Sequence, residues 1–144
     1  TLPAAGGANC NANGECCFSS LSIEGNATLT TSQPVTVYVT GTFSSLGNTV
    51  VGVPRDPTQL LLILSSPQLA TIQGDVQGNT AVYAGLYAPT GTINISGNAE
   101  IFGAVISQNV DISGNAQIHY DEAMTSVGPT GSYQINVLSW RDLN

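Results

Sequence analysis

The sequence of 144 residues predicts an all-β protein. The expected fold is a single-stranded parallel β-helix, or β-solenoid, over residues 20–144, preceded by an irregular arm over residues 1–19. Three observations lead there. A Gly-Asn pair recurs at Gly25-Asn26, Gly47-Asn48, Gly78-Asn79, Gly97-Asn98 and Gly114-Asn115. On both sides of each pair, apolar or small residues hold one parity and mostly polar residues the other, which is the period of a strand. No segment shows a helical apolar period of about 3.6 residues.

The arm comes first. It is rich in Gly and Asn, has almost no apolar periodicity, and carries all three cysteines, Cys10, Cys16 and Cys17. Neither a second Cys pair nor a His cluster follows, so the spacing is not that of a zinc site. A local disulfide from Cys10 to either Cys16 or Cys17 is expected. The remaining thiol is then free or joined to another chain.

The coils follow. Ile93 to Ile101 repeats as Val110 to Ile118, 17 residues on. Two residues before each Gly stand Ile23, Ser45, Val76, Ile95 and Ile112, and four after it stand Leu29, Val51, Val82, Ile101 and Ile118. A strand, a Gly-Asn corner and a second strand cannot bury an inward face alone, but stacked coils share one core. Glycine supplies the left-handed backbone of the corner, and Asn tolerates it nearly as well. Asn side chains stacked in register are expected to hydrogen-bond along the stack. Between Gly47 and Gly78, residues 52–57 read as a protruding loop, and Leu60–Leu64 as a strand buried on both faces. A short helical turn is expected near residues 121–124. The C-terminal Tyr133 to Trp140 reads as a strand or cap, with Trp140 over the last coil.

Composition narrows the function. Two Arg, no Lys and nine acidic residues give a net charge of −7. Arg55 and Arg141 are too few cations for a protein that binds a nucleic-acid backbone. Charged residues make up 8%, against roughly 25% in an ordinary soluble domain, yet the apolar content is too high for disorder. The longest apolar run, Leu60–Leu64, is far short of the roughly 20 residues of a membrane span. The chain opens at Thr1 with neither an initiator Met nor a secretory signal, as expected of a processed terminus or a trimmed chain. Such a composition points outside the cell.

The stretches Gly85 to Pro89, Ile93 to Val105, Ile112 to Ala116 and His119 to Ala123 resemble the C-terminal domain of bacterial type IV pilus-assembly proteins. Val37 to Phe43 resembles that family's first core strand, and Val137 to Arg141 its chain end. The likeness covers roughly residues 20–143. It implies a parallel β-helix, right-handed, with no catalytic motif. In that family the domain usually follows a hydrophobic pilin-like helix, which these residues do not contain.

His119-Tyr120-Asp121-Glu122 is the cluster nearest to a site. His119 stands five residues after Gly114, as Phe102 stands five after Gly97 and Tyr83 five after Gly78. The expected role is therefore a stacked ladder of Tyr83, Phe102 and His119; a cation site is the alternative. Asp75, Glu100 and Asp111 lack the spacing of calcium-binding solenoids and are expected on a solvated face. A single His gives no basis for a Ser-His-Asp nucleophile. Neither an enzyme nor a cofactor is expected. The expected function is an extracellular structural protein, part of a pilus or a self-assembling filament. Alternatives are an adhesin or glycan-binding tip using Tyr83, Tyr87 and Phe102, and an ice-binding face, which would need Thr pairs at one offset on successive coils. Expected partners are further copies or other pilus subunits.

Overall fold

The computed structural model describes residues 1–2, 9–66 and 72–127. Among the described residues, eleven strands form one sheet wound into a β-solenoid of about five turns. They are β1 (Glu15–Phe18), β2 (Leu21–Gly25), β3 (Thr28–Leu29), β4 (Val35–Val39), β5 (Phe43–Gly47), β6 (Val50–Gly52), β7 (Leu60–Leu64), β8 (Gln73–Gly78), β9 (Ala81–Gly97), β10 (Glu100–Ile112) and β11 (Gln117–Tyr120). Every ladder between them is parallel.

The coil has three faces. One stacks β1, β4, β7 and the middle of β9 and β10; a second stacks β2, β5, β8 and the ends of β9 and β10. The third stacks β3, β6, the starts of β9 and β10, and β11. Each Gly-Asn corner joins the second face to the third.

The core follows from parity. Inward positions such as Val37, Leu62 and Leu86, or Val76, Ile93 and Ile95, are fully buried. Each fully buried aliphatic side chain contributes about 1.5–3 kcal/mol relative to exposure. β7 is apolar at every position because both its sides are covered. Leu60, Leu62 and Leu64 point into the coil, while Leu61 and Ile63 pack outside it against Met124. Met124 lies in a 3-10 turn, Glu122–Ser126, where a short helical turn is expected from the sequence. The Asp121 carboxylate caps that turn by accepting from the Ala123 N–H.

The excursion in residues 52–59 is a tight loop, closed by a Val53–Asp56 bridge with Arg55 in the left-handed region, and then a 3-10 turn, Pro57–Gln59.

The N-terminal segment differs from the irregular arm expected over residues 1–19. Glu15–Phe18 is the first strand of the solenoid, paired with Val35–Val39. Its alternation is only two inward residues long, Cys16 and Phe18, too short to stand out in the sequence. Leu2 bridges Thr31 and joins the core. Cys10 and Cys16 form the disulfide and Cys17 is free and exposed. β1 has Cys16 inward opposite Val37 and Cys17 outward opposite Tyr38, and so selects between the two expected pairings. The expected cap, Tyr133 to Trp140 with Trp140 over the last coil, lies outside the described residues.

Candidate functional site

The side chains singled out by the repeat form two ladders along the axis. In the first, the Asn48 Nδ2 donates to Asn26 Oδ1 at 3.0 Å, Asn79 to Asn48 at 2.8 Å, Asn98 to Asn79 at 3.0 Å and Asn115 to Asn98 at 3.3 Å. The backbone repeats the step: the N–H of each upper Asn donates to the carbonyl of the Gly one coil below, at 2.7 to 2.9 Å. The corner admits only glycine in the middle of the stack. Gly78 has φ +85°, and a Cβ there would meet the Gly47 carbonyl oxygen at 2.7 Å. At the first corner, Gly25 has open space where a Cβ would stand.

The second ladder is aromatic. Tyr83 and Phe102 stack with ring centroids 4.9 Å apart and Phe102 and His119 at 4.6 Å, both pairs within 10° of parallel. The His119 Nε2 lies 3.7 Å from the Glu100 carboxylate, with both side chains more than two-fifths exposed. Phe102 has a ring on each face and offers mainly its edge to solvent, while Tyr83 has one face covered by Phe102. Tyr87 lies on another face of the coil, against the Leu61, Ile63 and Met124 cluster. Of the three aromatic residues named for a glycan platform, Tyr83 and Phe102 are thus brought together and Tyr87 is not.

The carboxylates are also dispersed. Asp75 accepts from Asn94 Nδ2 at 2.8 Å, and Asp111 stands one coil on, in register with Asn94. Glu100 belongs to a different face. Among the described residues no group of three or more His, Cys, Asp or Glu is placed to hold a metal ion. Asp121, grouped with His119 in the sequence, instead caps the 3-10 turn. Thr28 has Val50 as its neighbour on the next coil, so no Thr file begins there.

A third set was not singled out by the sequence. Ser45, Thr49 and Thr80 are buried hydroxyls inside the corner, with Ser45 Oγ 2.6 Å from Thr49 Oγ1 and Thr49 Oγ1 2.9 Å from Thr80 Oγ1. Thr80 also donates to the Gln77 carbonyl. The available signal was three hydroxyls at inward positions next to the corner on adjacent coils.

Among the described residues, the last coil is covered less than the others. Val110 and Ile112 occupy inward positions opposite Ile93 and Ile95. Ile93 and Ile95 are fully buried, whereas Val110 is 38% and Ile112 52% exposed.

The match that bears on family is to a model described as a domain of unknown function (DUF7305), over residues 19–127. It spans more than half of the chain, and the chain belongs to that family. No curated protein and no solved structure gives a significant match.

Proposed function

We propose that this family member is a non-catalytic structural module displayed outside the cell, a subunit of a pilus or of a comparable surface filament. The observation that carries this reading is the unbroken asparagine ladder from Asn26 to Asn115. The repeated polar side chains are turned on one another along the axis, so they stiffen a rod rather than converge on a ligand. Two further features support it. The Cys10–Cys16 disulfide suits an oxidising compartment. The resemblance of residues 20–143 to the C-terminal domain of type IV pilus-assembly proteins supplies the pilus context.

The test is the assembly state of the native material, by negative-stain imaging beside gel filtration with and without reductant. Filaments, or copies on isolated pili, are the expected result. Collapse on reduction that Cys17→Ser reproduces without reductant would assign the joint to Cys17, since reductant also opens Cys10–Cys16. A monomer under all conditions, absent from surface filaments, overturns the reading.

A further inference from the structure

We infer that the two ends of the solenoid are docking surfaces for each other, so that a second copy continues the coil head to tail. This deepens the filament reading and rests on it. The contact is the coil-to-coil contact already made four times inside the chain, at the corners of Asn26, Asn48, Asn79, Asn98 and Asn115.

The ladder has a direction, and its two ends are complementary. Every step runs from an upper Nδ2 to a lower Oδ1. At the first corner the Asn26 Oδ1 is used by Asn48, and no described residue takes the Asn26 Nδ2. At the last corner the Asn115 Nδ2 is used on Asn98, and no described residue donates to the Asn115 Oδ1. The Asn26 amide of one copy therefore meets the Asn115 oxygen of the next with the donor and acceptor that the stack already uses. The space over Gly25 is open, as the approach of another Gly-Asn corner requires.

The flanking strands agree in register. Gly25, Gly47, Gly78 and Gly97 are aligned by strand pairing, and the Asn115 N–H on the Gly97 carbonyl puts Gly114 next. Continuing that register places Leu21 of the incoming copy on Val110, Ile23 on Ile112 and Leu29 on Ile118. These are the inward positions that the last coil leaves least covered or half-covered. The edge just past Leu29 is excluded from the joint, because the Leu2 N–H donates to the Thr30 carbonyl and the Ser32 N–H to the Leu2 carbonyl, and so is the first face. There the β1 edge is already occupied, since Cys17 N–H donates to the Asn9 carbonyl and Asn11 N–H to the Glu15 carbonyl. The docking surface is therefore the corner and its two flanking strands. An open, non-closing contact of this kind generates fibres, and unpaired strand edges are what it joins.

The experiment is crosslinking of full-length chains across the joint. Neighbouring parallel strands stand about 4.8 Å apart, within the roughly 4.4–6.8 Å Cα separation that a disulfide spans. In a Cys17→Ser background, a chain with Asn26→Cys is mixed with one carrying Asn115→Cys and oxidised. A 26–115 heterodimer, identified by peptide mapping, is expected, in excess over either homodimer. Independently, Asn26→Asp keeps the oxygen that Asn48 uses and removes the outward donor. It should leave the melting temperature nearly unchanged and weaken association about tenfold. Crosslinks in equal amounts among all pairs, or association untouched by Asn26→Asp, overturn the proposal. Filaments that form without a 26–115 crosslink overturn the head-to-tail joint and leave the filament reading intact. Absence of filaments from the unsubstituted chain overturns both.

Discussion

The Asn79 side-chain nitrogen lies 2.8 Å from the Asn48 side-chain oxygen although 31 residues separate them, whereas the neighbouring steps of the same ladder span 22, 19 and 17 residues. Part of the extra length leaves the stack between β6 and β7, through the loop that contains Arg55 and the turn Pro57–Gln59, and the rest lies between Leu64 of β7 and Gln73 of β8. The corner geometry is thus independent of coil length, because the added residues lie at the two other edges of the prism. The interior rungs of the ladder are each held from both sides, and they are where substitution should be felt most.

Asn79 donates to Asn48 and accepts from Asn98. Replacing it with Ala removes two exposed hydrogen bonds, so a loss of about 1–2 kcal/mol is expected. Denaturant unfolding of Asn79→Ala beside Asn115→Ala, which loses only one such bond, tests it; equal losses would refute the additive ladder.

Gly78→Ala and Gly25→Ala separate crowding from backbone strain. Both positions have positive φ, which costs an alanine about 1–2 kcal/mol. At Gly78 the new methyl also meets the Gly47 carbonyl oxygen, whereas at Gly25 it enters open space. Gly78→Ala should cost about 3 kcal/mol or more, and Gly25→Ala no more than the strain alone. Similar melting temperatures for the two variants would contradict the close approach of the corners.

The buried hydroxyls make a sharper test. Thr49→Val leaves the Ser45 hydroxyl without its neighbour in the interior, at a cost of about 1–3 kcal/mol. The triple change Ser45→Ala, Thr49→Val and Thr80→Val removes the whole set and should be less damaging than the single one. Thermal melts of both decide it.

Phe102 is sandwiched between Tyr83 and His119. Each contact of this kind is worth about 0.5–1.5 kcal/mol beyond area burial. Phe102→Ala should therefore lose more stability than His119→Ala, which breaks one contact at an exposed end. The reverse order in urea unfolding would show that the stack contributes little.

Asp56 sets a pH dependence. The Thr58 hydroxyl donates to its carboxylate and holds the acid below its ordinary value of 3.8, aided by Gln59 and opposed by partial burial. A lowered folded value means that the stabilisation is complete above about pH 3.8 and is lost as pH falls through the lower folded value. The loop at residues 53–59 should loosen only in that acid range. A carbon-detected titration of Asp56 with a midpoint at or above 3.8 would exclude this.

The repeat itself was legible in the chain. Gly-Asn at five positions, alternating inward residues, and Tyr83, Phe102 and His119 at one offset all carry over into the stack, because a parallel coil places equal offsets side by side. The double coverage of Leu60–Leu64 could be read for the same reason, since only a strand covered on both sides is apolar throughout. What covers its outer side could not. Met124 reaches Leu61 and Ile63 only because the chain folds back over the first face after β11.

The cysteine pairing was likewise a tertiary decision. Cys16 and Cys17 are adjacent in the sequence, and only the pairing of β1 with β4 turns one inward and leaves the other exposed. The mutual satisfaction of Ser45, Thr49 and Thr80 also needed the fold, because 31 residues separate Thr49 from Thr80. The sequence by itself determined the repeating unit and which side chains line each file of the stack, since both depend on offset and parity within the chain. Only the tertiary structure decided which thiol is buried and what covers the outer side of Leu60–Leu64, since these depend on contacts between residues whose separation follows no period.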